Sequence, residues 1–417
     1  MNNSLPIEPG ARFLHPHTGH FLLWAPRGNQ AILRLVGPVH RDIHMTRHDH
    51  GYWEATVDGI HPGQRYFYRL DNGPDRPDPA SRAQPDGVHG PSAVVNTSFD
   101  WHDNAWTGAP LDSLVLYELH VGTFTPQGTF DAVLGQLDRL CDLGVTALSL
   151  MPVAQFPGWR NWGYDGVYPF CVQNSYGGPA GLKRLVDAAH ARGLSVLLDI
   201  VYNHLGPEGN YFRYFGPYFT DNYRTPWGEP LNFDSHGCDA VRDFFLANAR
   251  MWQVEFHLDG LRIDAVPWIK DFSASHLLAD LADQARALIP HTRRPFHLIG
   301  ESDMNDPRVI RPPPGAALAS ALKWVTRLSP STPTSPASGG GLLRRPWPPG
   351  EPRSRYYQDL RLLAEYSHTS DAATAPLLPT AGHRVRLRSS LPNRGWSATD
   401  LGAFASAPSA SISRRSS

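Results

Sequence analysis

Three carboxylates close short apolar runs in the middle of the chain: Asp199 in "LSVLLDIVYNH", Asp264 in "LDGLRIDAV" and Glu301 in "FHLIGES". In "LRID", Arg262 and Asp264 are two residues apart, so in an extended strand both project to one face while Leu261 and Ile263 project to the other. A guanidinium beside a carboxylate has two readings. It is a buried ion pair that fixes an interior, or, if Asp199 on a neighbouring strand takes Arg262 instead, Asp264 is left free, ionised and positioned. Two carboxyl groups on adjacent strand ends, one held ionised and one with a raised pKa, are what glycoside hydrolysis requires: a nucleophile and a general acid that later acts as base. One helix and one strand separate Asp264 from Glu301, so successive strand ends can bring them to the roughly 5–5.5 Å that a retaining mechanism uses.

His204 follows Asp199 and Asn203 in "DIVYNH", where the spacing supplies no further metal ligands. A hydrogen bond to a substrate hydroxyl is the expected role, and His120 reads as a satisfied core or rim histidine. Two segments, "WRNWGYDGVYPF" and "NYFRYFGPYFTDNYRTPWG", concentrate Trp, Tyr and Phe after the second and third β-like runs. Each ring alone reads as core packing. Together, in loops on the side of the carboxylates, they favour a saccharide, whose C–H faces aromatic planes cover while polar neighbours bond the hydroxyls.

The elements that position these groups follow from periodicity. Between residues 11 and 70, "HFLLWAP", "QAILRLVG", "YWEATVDG" and "QRYFYRL" alternate with a period of two and are punctuated by Gly, Pro and Asn, which predicts a small antiparallel β-sandwich. From about residue 113, β-like runs alternate with amphipathic stretches such as "FDAVLGQLDRLCDLG", "GLKRLVDAAHARG" and "CDAVRDFFLANARMWQVEF". That alternation predicts parallel strands with crossover helices, in an open doubly wound sheet or a closed barrel. Polar residues at the ends of many runs suit a barrel, which gathers them in one bowl. An open sheet usually offers a phosphate loop as well, and "YGGPAGLKRL" lacks the spacing of one. The predicted organisation is a sandwich over residues 1–95, a connection over 96–112, barrel strands one to five over 113–310, and an unlike segment over 311–417.

The totals exclude several classes. A formal net charge of −1 argues against a nucleic-acid partner, and no apolar run approaches the roughly 18 residues of a membrane span. Cys141, Cys171 and Cys238 are too few and too scattered for a disulfide framework. The first residues lack a basic segment followed by an apolar core, so a cytoplasmic location is expected. The charge is uneven: residues 1–310 hold 24 Lys+Arg against 34 Asp+Glu, and residues 311–417 hold 14 against 5.

"DIVYNH", "GLRIDAV" and "IGES" resemble the first three signature regions of the alpha-amylase family of glycoside hydrolases, in the family's order. The resemblance covers nearly all of residues 11–311. It implies a (β/α)8 TIM-type barrel, incomplete here, behind a carbohydrate-module-like sandwich. It further implies Asp264 as nucleophile, Glu301 as acid/base, Arg262 holding Asp264 ionised and Asp199 orienting Arg262. His204 would bond the sugar in the cleaved subsite and Tyr164 would stack on it, with Asn203, Trp162 and Asp165 binding or supporting. No cofactor and no metal are implied. Within the family, "YELHVGTFTPQGTF", "PVAQFPGWRNWGYDGVYPF", "ASRAQPDGVHGPSAVVN" and "ESDMNDPRVI" resemble the branch that cuts the α-1,4 bond next to the trehalose end of a maltooligosyltrehalose. The implied partners are that substrate or a related α-glucan, and a maltooligosyltrehalose synthase acting in the same pathway. A glycogen branching or debranching relative and a catalytically inactive saccharide-binding remnant are the alternatives.

The family uses a third carboxylate, an Asp near a His, in a segment that begins with Trp. Here Trp324 begins "WVTRLSPSTPTSP", and no Asp or His occurs between it and Asp359. Residues 311–417 hold 14 Pro, 17 Ser and 13 Arg, a composition that resists burial and predicts disorder. A reading-frame shift near residues 311–324 is the expected origin. An incomplete barrel would leave strand edges exposed and fold poorly.

Overall fold

Period-two burial organises the first part of the chain. In the computed structural model, which describes residues 8–14 and 16–304 and the backbone strand Leu322–Val325, buried and part-exposed residues alternate along three of its strands. The strands are β1 (Gly10–Leu14), β2 (Thr18–Trp24), β3 (Ala31–Val36), β4 (Arg41–His44), β5 (Thr46–Arg47), β6 (Tyr52–Asp58), β7 (Arg65–Leu70) and β8 (Ser92–Ala93). They form two antiparallel sheets of order β1-β2-β6-β5 and β4-β3-β7-β8. The inner faces meet through residues such as Phe21 and Tyr66, edge to face at 5.2 Å. Each such fully buried ring contributes about 1.5–3 kcal/mol.

Parallel strands follow. They are β9 (Leu116–Leu119), β10 (Ala147–Leu150), β13 (Ser195–Ile200), β14 (Gly260–Ile263), β15 (His297–Glu301) and β16 (Leu322–Val325), with an antiparallel insert of β11 (Ala154–Gln155) and β12 (Tyr168–Val172). The sheet order β16-β15-β14-β13-β10-β9 follows the chain, as consecutive crossovers dictate. All six residues of β13 are buried, which is why "SVLLDI" reads as a continuous run and not as an alternation. The crossovers carry α1 (Val121–Phe124), α2 (Phe130–Leu134), α3 (Leu137–Asp142), α4 (Gly178–His190), α5 (Phe212–Phe215), α6 (Cys238–Val254) and α7 (Leu277–Thr292).

Three expectations need revision. The helix expected over "FDAVLGQLDRLCDLG" is two short helices, broken at Gly135 and Gln136, where glycine disfavours continuation. The barrel strands expected to number five are six among the described residues, because Leu322–Val325 pairs in parallel with β15 and sets Val325 opposite Glu301. That strand lies inside the stretch expected to be structureless; the rest of residues 311–417, with the reading of their origin, lies outside the described residues. The rings of "NYFRYFGPYF" also change role. Phe212, Phe215, Tyr218 and Phe219 are buried, and they pack the sandwich onto the barrel: Tyr218 meets Trp24 at 5.1 Å, Phe215 meets Tyr68 at 6.5 Å, and the Leu70 N–H donates to the Tyr214 hydroxyl at 3.0 Å. No helix of the described residues is long and apolar enough to cross a membrane.

Candidate active site

Register brings the charged groups together. Asp199 on β13 lies directly opposite Arg262 on β14, and Glu301 is the last residue of β15. Asp264 follows β14, and its N–H still donates to the Ile200 carbonyl at 2.9 Å. All three carboxylates thus sit at the carboxyl ends of neighbouring parallel strands, the end at which such sheets bind ligands. Asp199 and Asp264 are only 6% and 5% exposed.

One guanidinium holds all three. Arg262 Nη1 donates to both oxygens of Asp199 at 2.8 Å and to Asp264 Oδ1 at 2.9 Å, and Nη2 lies 2.9 Å from Glu301 Oε2. The expectation that Asp199 would relieve Asp264 of Arg262 is therefore not met. Nη1 bridges the two, because their strands are adjacent and their side chains converge on the same nitrogen. Burial pushes the Asp199 carboxyl up to about 8, against the pull of Arg262 and with the Asp264 charge adding to the rise. Burial also works against the Arg262 charge, but Asp199 and its neighbours outweigh it and hold the guanidinium well above its ordinary value. Among the described residues three carboxylates face this one cation, and the raised Asp199 is where such a cluster keeps a proton.

Further donors orient each acid. Asn203 Nδ2 donates to the Asp264 carbonyl at 2.9 Å and to Asp264 Oδ2 at 3.0 Å, so each oxygen of Asp264 has its own donor. The Asn203 side-chain oxygen accepts from His204 Nδ1, which fixes the histidine's proton on that nitrogen. His204 is buried and stacks on Trp227 at 5.6 Å. Tyr164 donates its hydroxyl to Asp199 Oδ2 at 2.8 Å, so whatever its ring does, its oxygen belongs to the acid cluster. The residue after Asp264 is in the left-handed region: Ala265 has φ +44°, and its N–H donates to Glu301 Oε2 at 3.0 Å. A non-glycine residue there is strained, and the strain aims a backbone donor at Glu301.

The Tyr164 loop is built to stay where it is. Gly163, with φ +97°, precedes it, and a Cβ there would lie 2.1 Å from the Pro152 carbonyl oxygen; a Cβ on Gly206 would lie as close to that of Asp165. Asn161 Oδ1 accepts the Gly163 N–H at 2.7 Å, and Asn161 Nδ2 donates to Asp165 Oδ2 at 2.8 Å. Asp165 thus braces the loop. Trp162 packs edge-on against His120 at 5.1 Å, and His120 Nε2 lies 2.8 Å from both the Asn161 carbonyl and the Tyr176 hydroxyl. Burial lowers the His120 pKa, favouring the neutral ring, so this histidine is a satisfied anchor of the loop. Sequence reasoning missed Asn161 and Ala265 as parts of the site and took Trp227 only as one ring of an aromatic-rich segment. The short "WRNWGYDG", with Asn two before a glycine, was the available signal for the first.

Known proteins match in the same two parts. The family described as alpha amylase, catalytic domain, matches residues 82–227, and carbohydrate-binding module 48 (isoamylase N-terminal domain) matches residues 10–81. A malto-oligosyltrehalose trehalohydrolase of Saccharolobus solfataricus is 49% identical over 306 residues, which cover 73% of this chain and 53% of that protein. The enzyme of the same name from Mycobacterium tuberculosis is 44% identical over 309 residues, covering 73% and 52%. A candidate alpha amylase from Salmonella typhimurium, solved by crystallography, superposes with a TM-score of 0.70 at 42% identity over 75% of this chain and 53% of that one. A type I pullulanase from Bacillus subtilis superposes with 0.62 at 23% identity, covering 71% and 47%, and shares the fold. The chain spans about half the length of the curated relatives it matches.

Proposed function

As the chain belongs to the alpha-amylase family of glycoside hydrolases, we propose that the cluster around Arg262 is the working part of a retaining α-glucan hydrolase, with maltooligosyltrehalose as substrate and trehalose as a product. The observation that carries the reading is the single guanidinium bonded to Asp199, Asp264 and Glu301 at three successive strand ends. Asp264, bonded to Arg262 and aligned by Asn203, attacks the anomeric carbon while Glu301 protonates the departing glycosidic oxygen. Water then cleaves the glycosyl-enzyme with Glu301 as base. Arg262 and the Ala265 N–H both engage Glu301 Oε2. His204 bonds a hydroxyl of the cleaved sugar and Tyr164 covers its face, while Trp162 and Asp165 support the loop.

The substrate assignment is supported by the identity of 44–49% to enzymes named malto-oligosyltrehalose trehalohydrolase. A 1,4-alpha-glucan branching enzyme of Salinibacter ruber is 32% identical over 279 residues, which makes glucan branching the weaker reading. On this reading the enzyme acts after a maltooligosyltrehalose synthase, in the cytoplasm. With no Asp or His between Trp324 and Asp359, the family's third carboxylate has no candidate at its usual place, and turnover should fall by several orders of magnitude.

Incubation with maltooligosyltrehalose and chromatography of the products tests the reading. Free trehalose, lost in Glu301→Gln, is the expected result, at a rate far below that of a complete trehalohydrolase. Branched glucan would favour the branching reading. Binding of α-glucan with no product at any enzyme concentration would leave a saccharide-binding remnant instead.

A further inference from the structure

We infer that Phe272 and Tyr223 form an outlying platform on which the glucose units of a long α-glucan, remote from the cleaved bond, are stacked. The inference rests on the glucan-hydrolase reading above and adds to it a determinant of chain-length preference. Phe272 is 77% exposed, an unfavourable setting for a large ring unless something covers it. Its partner is Tyr223, with ring centroids 5.5 Å apart and a tilt of 38°.

The platform is rigid. Asp234 Oδ2 accepts both the Tyr223 hydroxyl at 2.7 Å and the Phe272 N–H at 3.0 Å, joining the loop after β13 to the loop after β14. On either side of Phe272 the chain is pinned. Buried Asp271 bonds Arg242 at 2.5 Å and accepts the Leu277 N–H at 2.6 Å, and the Ser273 N–H returns to Asp271 Oδ1 at 3.0 Å. An exposed ring held by fixed backbone has already lost the freedom that ligand binding would otherwise remove.

The platform also continues the site. His204 stacks on Trp227, Trp227 meets Trp268 edge-on at 5.9 Å, and Lys270 lies over the Trp268 ring at 4.8 Å, two residues before Phe272. Aromatic faces with interspersed Lys270 and Asp234 suit a sugar chain, which presents C–H faces and hydroxyls alternately.

Calorimetric titration of the full chain with maltotriose and maltoheptaose tests the inference. In Phe272→Ala and Phe272→Gln, maltoheptaose affinity should fall roughly three- to tenfold while maltotriose affinity is unchanged, and Phe272→Tyr should retain both. If the wild-type chain binds maltoheptaose and the two variants bind it equally well, the platform is ruled out while the hydrolase reading stands. Equal losses for the two sugars would place Phe272 near the cleaved bond and also overturn the inference. A wild-type chain that binds neither sugar would remove the inference and the reading on which it rests.

Discussion

Two buried charge clusters occupy opposite ends of the same parallel sheet, and they are balanced in opposite ways. At the carboxyl ends, one guanidinium among the described residues serves Asp199, Asp264 and Glu301. At the amino ends, Asp103 Oδ2 lies 2.8 Å from His190 Nδ1, 2.8 Å from His257 Nδ1 and 2.9 Å from Arg294 Nη1, while Asp259 meets His190 Nε2 at 2.9 Å and accepts the Trp106 indole N–H at 2.8 Å and the Val196 N–H at 2.7 Å. Here two carboxylates face two imidazoles and a guanidinium, with donors on both oxygens of Asp259 and three on Oδ2 of Asp103. Trp106 stacks on His190 at 5.0 Å and Trp101 on His257 at 3.9 Å. Matched charge holds a fold together. Three acids facing one cation among the described residues suit the proton transfer and attack proposed for them.

Removing one acid from each end should therefore have opposite signatures. Asp264→Asn takes a negative charge from the end that has too many, so activity should fall by about 10⁴-fold or more while the thermal midpoint holds or rises. Trehalose release and a melting curve on the same preparation measure both. Asp103→Ala strands three cationic or polar partners in the interior and should lower stability by about 3–5 kcal/mol, seen as a shift in the urea midpoint. A large loss of stability in Asp264→Asn, or none in Asp103→Ala, would erase the contrast.

The carboxyl end is far more legible than the amino end, for a physical reason. Asp199, Arg262 and Asp264 lie in runs whose period reveals the face each occupies, and Glu301 ends an apolar run of the same kind, so the acids could be assigned to one bowl from spacing alone. The amino-end network draws Asp103, His190, His257, Asp259 and Arg294 from a connection, a helix end and three loop or strand-edge positions. No local pattern joins them, and the stretch holding Asp103 reads only as a link between domains. The rings of residues 211–219 show a different limit. Composition placed them after a strand but gave no sign that the sandwich, and not a sugar, would cover them. Likewise the sharing of Arg262 by three acids depends on the approach of side chains from three strands, which spacing within one strand does not determine.

The balanced end also carries a pH signature. Burial opposes a charge on His190, but its bonds to Asp103 and Asp259 win and raise its pKa above the ordinary 6.5. For Asp103 burial acts upward, and the His190 and His257 bonds outweigh it and hold the carboxyl well below its ordinary 3.8. The histidine contribution is complete below pH 6.5 and is lost as pH rises through the raised value. The carboxylate contribution is complete above about 3.8 and is lost as pH falls through the lowered one. The network is therefore strongest between about pH 4 and 6.5. His190→Gln keeps a hydrogen-bonding side chain without the titration, so the decline in stability above pH 6.5, followed by chemical unfolding between pH 6 and 9, should flatten. An unchanged slope would show that His190 is not the group responsible.

The smallest effect separates two roles of one residue at the charge-poor end. Tyr164 gives its hydroxyl to Asp199, and its ring is proposed to cover the sugar. Tyr164→Phe removes the hydroxyl alone. With one fewer donor the Asp199 carboxyl rises further, since that hydrogen bond is among the influences that lower it, and the cluster holds its proton to higher pH. The expected outcome is a loss of about 0.5–1.5 kcal/mol in transition-state stabilisation, roughly two- to twelvefold in kcat/KM, with KM nearly unchanged and the alkaline limb of the rate profile moved upward. Tyr164→Ala removes the ring as well and should raise KM in addition. If the Phe variant raises KM as much as the Ala variant, the contribution of Tyr164 to sugar binding lies in the hydroxyl and not in the ring.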